Sequence, residues 1–102
     1  MNLHVFEQKT AIEAACRRHR ASRLDLFGSA ASGKFDPSRS DFDFLVEFEP
    51  GSPAEISERY FGLMDDLETL LGHPVDLIIR SSIRNPYLLE SVDATRSLLF
   101  AA

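Results

Sequence analysis

Two short stretches of this sequence carry residue types that do chemistry. Ser40-Asp41-Phe42-Asp43 sets two carboxylates one residue apart at the head of an apolar run. Upstream, Gly28-Ser29-Ala30-Ala31-Ser32-Gly33-Lys34 is a small, polar segment bounded by glycines. The upstream stretch spells a P-loop in all but its last letter, and three features reject that reading. Phe35 stands where a P-loop needs a Ser or Thr hydroxyl for magnesium. Asp36-Pro37 follows as a turn signal, where a P-loop opens directly into a long helix. Each parallel strand added through a crossover helix takes roughly 30 residues, and too little chain follows Lys34 for the usual sheet.

The carboxylates gain meaning from strand geometry. Side chains alternate along a strand, so Asp41 and Asp43 share one face while Phe42, Phe44 and Val46 share the other. The same parity in Pro74-Val75-Asp76-Leu77-Ile78-Ile79 sets Asp76 opposite Val75, Leu77 and Ile79. Leu24 and Leu26 form the apolar set of an earlier strand, whose Asp25 has the parity of the acids. Acids gathered on one face repel one another unless a cation neutralises them. Oxygen ligands select magnesium or manganese over zinc, and the further ligands and glycine of an EF-hand loop are missing. An isolated Asp-x-Asp would more often only keep an edge strand soluble. Here the pair has company. Gly28-Ser29 leads into a turn that can begin a helix at Ala30, where backbone N–H groups and the Ser29 hydroxyl suit a phosphate. Gly33 lets the chain turn back toward the acidic strand. Phosphate cradle and acids together suggest a nucleoside triphosphate with its magnesium.

The elements that must position these groups are readable. Residues 5–20 carry Val5, Ile12, Ala15, Cys16 and His19 at helical spacing and end in Arg17-Arg18-His19-Arg20, cations that suit a helix C-terminus better than they make an RNA patch. A strand follows over 23–28 and another over 41–49. The strongest helix signal starts at Ser52 as cap, with Pro53 first and Glu55 third, runs through Ile56, Tyr60, Leu63, Met64, Leu67, Leu70 and Leu71, and stops at Gly72. Residues 74–79 make a third strand, 85–92 a short helix capped by Asn85, and 96–100 a last short strand. Core packing is the default for Tyr60, Phe61 and Tyr87, with an exposed interface the alternative.

With 102 residues and no repeat or linker, the chain reads as one domain, 1–102. A net charge of −5 argues against direct nucleic-acid binding and suits a cation-recruiting site. The single cysteine, Cys16, reads as a small core residue. No run approaches membrane-spanning length and the N-terminus lacks a signal-peptide pattern, so the expectation is a cytoplasmic protein without membrane contact.

Taken together, Gly28-Ser29-x-Ala31-x-Gly33, Ser40-Asp41-x-Asp43 and a later Asp76 on a strand resemble the nucleotidyltransferase signature of the DNA polymerase beta superfamily. The short length and Arg84-Asn85-Pro86 before the last helix are most similar to its minimal members, the antitoxins of HEPN–MNT toxin–antitoxin pairs. The resemblance implies an α/β (α+β) fold: a small mixed sheet with helices on one face and an acidic metal site on the other. It implies that Gly28 and Ser29, with Gly33 and Ser40, hold the triphosphate of ATP. Asp41, Asp43 and Asp76 would be catalytic and bind two Mg²⁺ ions, and Asp76, on a later strand, is preferred to Asp25. Many relatives carry arginine at the positions of Ala30 and Ser32, where this chain is neutral; Lys34 and Arg39 read as solvated loop charges that could compensate only in part. The implied activity is transfer of AMP to a tyrosine of a HEPN toxin ribonuclease. A contact-only antitoxin, or a subunit modifying a small molecule, are the alternatives.

Overall fold

The computed structural model describes residues 2–36, 38 and 40–102. Helices α1 (Leu3–Glu7) and α2 (Lys9–Arg18) lead into strand β1 (Ala21–Phe27), followed by the one-turn helix α3 (Ser29–Ser32) and strand β2 (Phe42–Phe48). Helix α4 (Pro53–Leu71) crosses to strand β3 (Val75–Ile79), and a 3₁₀ turn (Arg80–Ser82) leads to helix α5 (Pro86–Thr95) and strand β4 (Ser97–Ala101). The sheet order is β3-β2-β1-β4, with β2 and β3 parallel and the other neighbours antiparallel. This is the α/β fold with a small mixed sheet that the sequence implies.

Local chemistry explains most boundaries. The Ser52 hydroxyl accepts from the Glu55 N–H at 3.2 Å while the Glu55 carboxylate accepts from the Ser52 N–H at 2.9 Å, closing the expected capping box. Gly72, at φ 60°, ends α4 in the left-handed conformation. The N-terminal segment differs from one continuous helix over 5–20. It breaks at Gln8, whose N–H is shared between the carbonyls of His4 and Val5. Both halves still bury their apolar members, Val5, Ile12, Ala15 and Cys16.

Those residues join Leu24 and Leu26 of β1, Phe42, Phe44 and Val46 of β2, Leu77 of β3 and Leu63, Leu67 and Leu71 of α4 in the main core. The three apolar sets read by parity therefore do share one face. The opposite face is not left to the acids alone. Helix α5 covers part of it, and Val92 packs with Phe27, Leu45, Ile78 and Ile83 in a second, small cluster. This departs from helices on one face only: residues of α2 and α4 already pack on the main face.

The default of core packing holds for one aromatic and fails for two. Tyr60 is half-buried and donates to the Leu77 carbonyl at 2.7 Å, closing the edge of β3. Phe61 and Tyr87 are 62% and 80% exposed, because each lies on the outer side of its helix.

Candidate active site

Register assembles the site. Phe42 pairs with Val75 and Asp43 with Asp76, so parallel pairing of β2 and β3 sets two carboxylates side by side on the face away from the main core. Asp41 is exposed and precedes β2 by one residue. On the other side of Asp43, antiparallel pairing brings Phe27 opposite it, and the chain then turns at Gly28. Gly28 has φ 72° and ψ −148°, a conformation nearly confined to glycine. A Cβ on Gly28 would stand 2.5 Å from Asp43 Oδ2. Close approach of this turn to the carboxylate therefore needs a residue with no side chain.

The charges act on one another. Burial first, then Asp76, then Asp41 push the Asp43 carboxyl up to about 6. Hard oxygen donors with unrelieved mutual repulsion are what a divalent cation neutralises, so these residues fit magnesium by donor type and electrostatics. Among the described residues, no group of three His, Cys, Asp or Glu side chains is drawn together to hold a metal ion. Asp43 and Asp76 are cross-strand neighbours, and Asp41, two residues ahead of Asp43, adds its charge to theirs.

The phosphate side of the site is a turn. Gly28 is the cap of α3, and Gly33, at φ 83°, ends it. The N–H groups of the first turn of any helix lack intrahelical acceptors, and those of Ser29, Ala30 and Ala31 belong to this class. Lys34 is exposed, and its N–H closes the turn on the Ser29 carbonyl at 2.9 Å. Helix α3 thus ends before Lys34 rather than beginning after it, the opposite of a P-loop. Phe35 instead stacks on Phe42 with centroids 4.4 Å apart. Arg39 lies outside the described residues. Ala30 is buried in the main core, while Ser32 is exposed.

Ser40 stands in the loop ahead of β2, directly before Asp41. Its hydroxyl accepts from the Asp36 N–H at 3.2 Å and its own N–H donates to the Asp36 carbonyl at 2.7 Å, so it closes the loop ahead of β2. Asp25 is also engaged. It is 1% exposed and accepts from Arg96 at 2.7 Å and Arg23 at 3.0 Å, an ion-paired structural carboxylate rather than a third free acid. The sequence reading missed Thr95 and Arg96. Thr95 Oγ1 accepts from the Gly28 N–H at 2.9 Å, and Arg96 ties the end of α5 to Asp25. A signal existed: an arginine directly after the last helix, and an aspartate between the apolar residues Leu24 and Leu26 of the first strand.

Comparison with known proteins identifies the family. A protein of Methanocaldococcus jannaschii named "putative protein adenylyltransferase" is 40% identical over 76 residues, 74% of each chain. A solved minimal nucleotidyltransferase superposes with a TM-score of 0.69 at 32% identity, covering 95% of both chains. A chain from the complex of a tri-AMPylated Shewanella oneidensis HEPN toxin with its MNT antitoxin shares the fold, with a TM-score of 0.66 at 19% identity over 95% of this chain and 72% of that one. Residues 9–98 match the nucleotidyltransferase domain, and the chain belongs to that family of nucleotide-transferring enzymes.

Proposed function

We propose that this chain is a magnesium-dependent adenylyltransferase that moves AMP from ATP to a tyrosine of a cognate HEPN toxin ribonuclease in the cytoplasm, silencing the toxin. One observation carries the reading: Asp43 lies beside Asp76 across the β2–β3 ladder, with the Gly28 turn packed on the same carboxylate. The relatives support the choice of donor and acceptor. One is named for adenylyl transfer to protein, and the toxin in another's complex is AMPylated.

Asp41, Asp43 and Asp76 would hold the magnesium ions, which when bound draw charge off the phosphates and favour ionisation of the attacking hydroxyl. The Ser29 hydroxyl and the turn's N–H groups receive triphosphate oxygens, with Gly33 and Ser40 closing the loop around them. The partner's tyrosine oxygen forms a bond to the α-phosphorus, the α–β phosphoanhydride bond breaks, and pyrophosphate leaves with the bonding electrons. Asp76, exposed on an edge strand next to Asp43, is our assignment for acceptor of the tyrosine proton. The chain's own part is to fix carboxylates and phosphate turn at one spacing before ATP arrives.

A second reading, silencing by contact alone, is favoured by one feature. Ala30 and Ser32 are neutral where the family resemblance leads one to expect arginine. ATP labelled at its α-phosphate separates the two. With magnesium and purified toxin, the wild type leaves label on the toxin and Asp43→Asn leaves none. An unlabelled toxin that Asp43→Asn still silences overturns the enzymatic reading.

A further inference from the structure

We propose that Thr95 is a positioning residue for nucleotide binding: its hydroxyl holds the Gly28–Ser29 turn against Asp43, fixing the spacing between phosphate cradle and carboxylates. The inference rests on the reading that this turn receives a triphosphate.

The register shows why a side chain is needed there. In the β1–β4 ladder Leu26 pairs with Ser97. Two further steps along both strands would set Gly28 opposite Thr95. Thr95 is instead the last residue of α5, in helical conformation, and has no strand carbonyl to offer. Its Oγ1 takes that place and accepts the Gly28 N–H at 2.9 Å. Gly28 is therefore held on two sides, by Thr95 through its N–H and by the Asp43 carboxylate against its Cα.

Thr95 is itself anchored. The next residue, Arg96, donates to buried Asp25 at 2.7 Å and to Asp93 at 2.9 Å. The end of α5 is thus fixed to the middle of β1, and the turn at the end of β1 is fixed to α5. Without the hydroxyl, the Gly28 N–H turns toward water, and the turn swings off Asp43. Phosphate contacts and metal-binding acids then lose their common frame, although neither set of groups has been altered.

The test compares Thr95→Val, which keeps the branched shape and removes the acceptor, with Thr95→Ser, which keeps the acceptor. Calorimetric titration with AMP-PNP and magnesium, without partner protein, reads affinity alone. Misplacement of a binding group by about 1 Å can cost up to ~100-fold, and Thr95→Val is expected to bind ~10- to 100-fold more weakly, with Thr95→Ser restoring wild-type affinity. Amide exchange at Gly28 is slow in wild type and Thr95→Ser and fast in Thr95→Val. Equal affinity in wild type and Thr95→Val overturns the positioning role while leaving the nucleotide site standing. No binding by wild type overturns the triphosphate reading and this inference with it. If Thr95→Val does not fold, the Gly28 amide of the wild type decides, and an unprotected amide there contradicts the proposal.

Discussion

Gly28 and Asp43 are in contact across the β1–β2 turn, so close that a single methyl group on Gly28 would collide with Oδ2 at 2.5 Å. The contact joins the phosphate turn to the acid pair. Gly28→Ala must strain a backbone at φ 72° and push Asp43 aside at once. Urea unfolding is expected to show a loss of about 1–3 kcal/mol from the backbone alone. Label transfer is expected to fall by ~100-fold or more, since the acid is displaced from its partner.

Asp43 also sets a pH dependence in the magnesium-free chain. Its carboxyl is pushed up to about 6 in the folded protein from an ordinary 3.8, owing to burial, Asp76 and Asp41. The folded state therefore holds more protons between those values than the unfolded state. The contribution of Asp43 to stability in chelator is fully present at the acidic end, is lost as pH rises through about 6, and is level above it. Asp43→Asn flattens this slope and has the higher Tm at pH 7.5, while transfer activity drops by several kcal/mol in barrier, about three decades in rate. Thermal melts at several pH values, with and without magnesium, check both halves.

Asp25 and Asp76 share a face and differ in role. Asp25 is buried against Arg96 and Arg23, whereas Asp76 is exposed beside Asp43. Arg96→Ala leaves a buried carboxylate with only the partly exposed Arg23, and is expected to cost about 3–5 kcal/mol in urea unfolding. Manganese affinity, read by electron paramagnetic resonance, is expected to fall in Asp76→Asn and to stay unchanged in a folded Asp25→Asn.

Cys16 is sealed in the main core, and burial, reinforced by Glu13, pushes its thiol up to about 12. Thiolate is the reactive form, so iodoacetamide at pH 8 is expected to leave the folded protein unlabelled and to modify it fully in urea. Intact mass reads the difference.

What was legible in the sequence was local or periodic. Helix α4 announces itself because Ser52, Pro53, Glu55 and Gly72 act within one turn of its ends. Parity separated Asp43 and Asp76 from the apolar residues, and the register then placed them side by side. Long-range packing was not legible. Nothing next to Gln8 announces a break, for no glycine or proline stands there. That α5 would cover the acid face depended on which face α2 and α4 had already filled. The contact from Thr95 to Gly28 and the ion pair from Arg96 to Asp25 link residues far apart in the chain.

The central claim is that three aspartates and one glycine–serine turn receive a metal-bound nucleotide together. Crystals grown with AMP-PNP and manganese test it directly through anomalous scattering. The account predicts manganese peaks enclosed by Asp41, Asp43 and Asp76, with the triphosphate resting on Ser29. Manganese elsewhere, or a nucleotide bound away from those carboxylates, would contradict it.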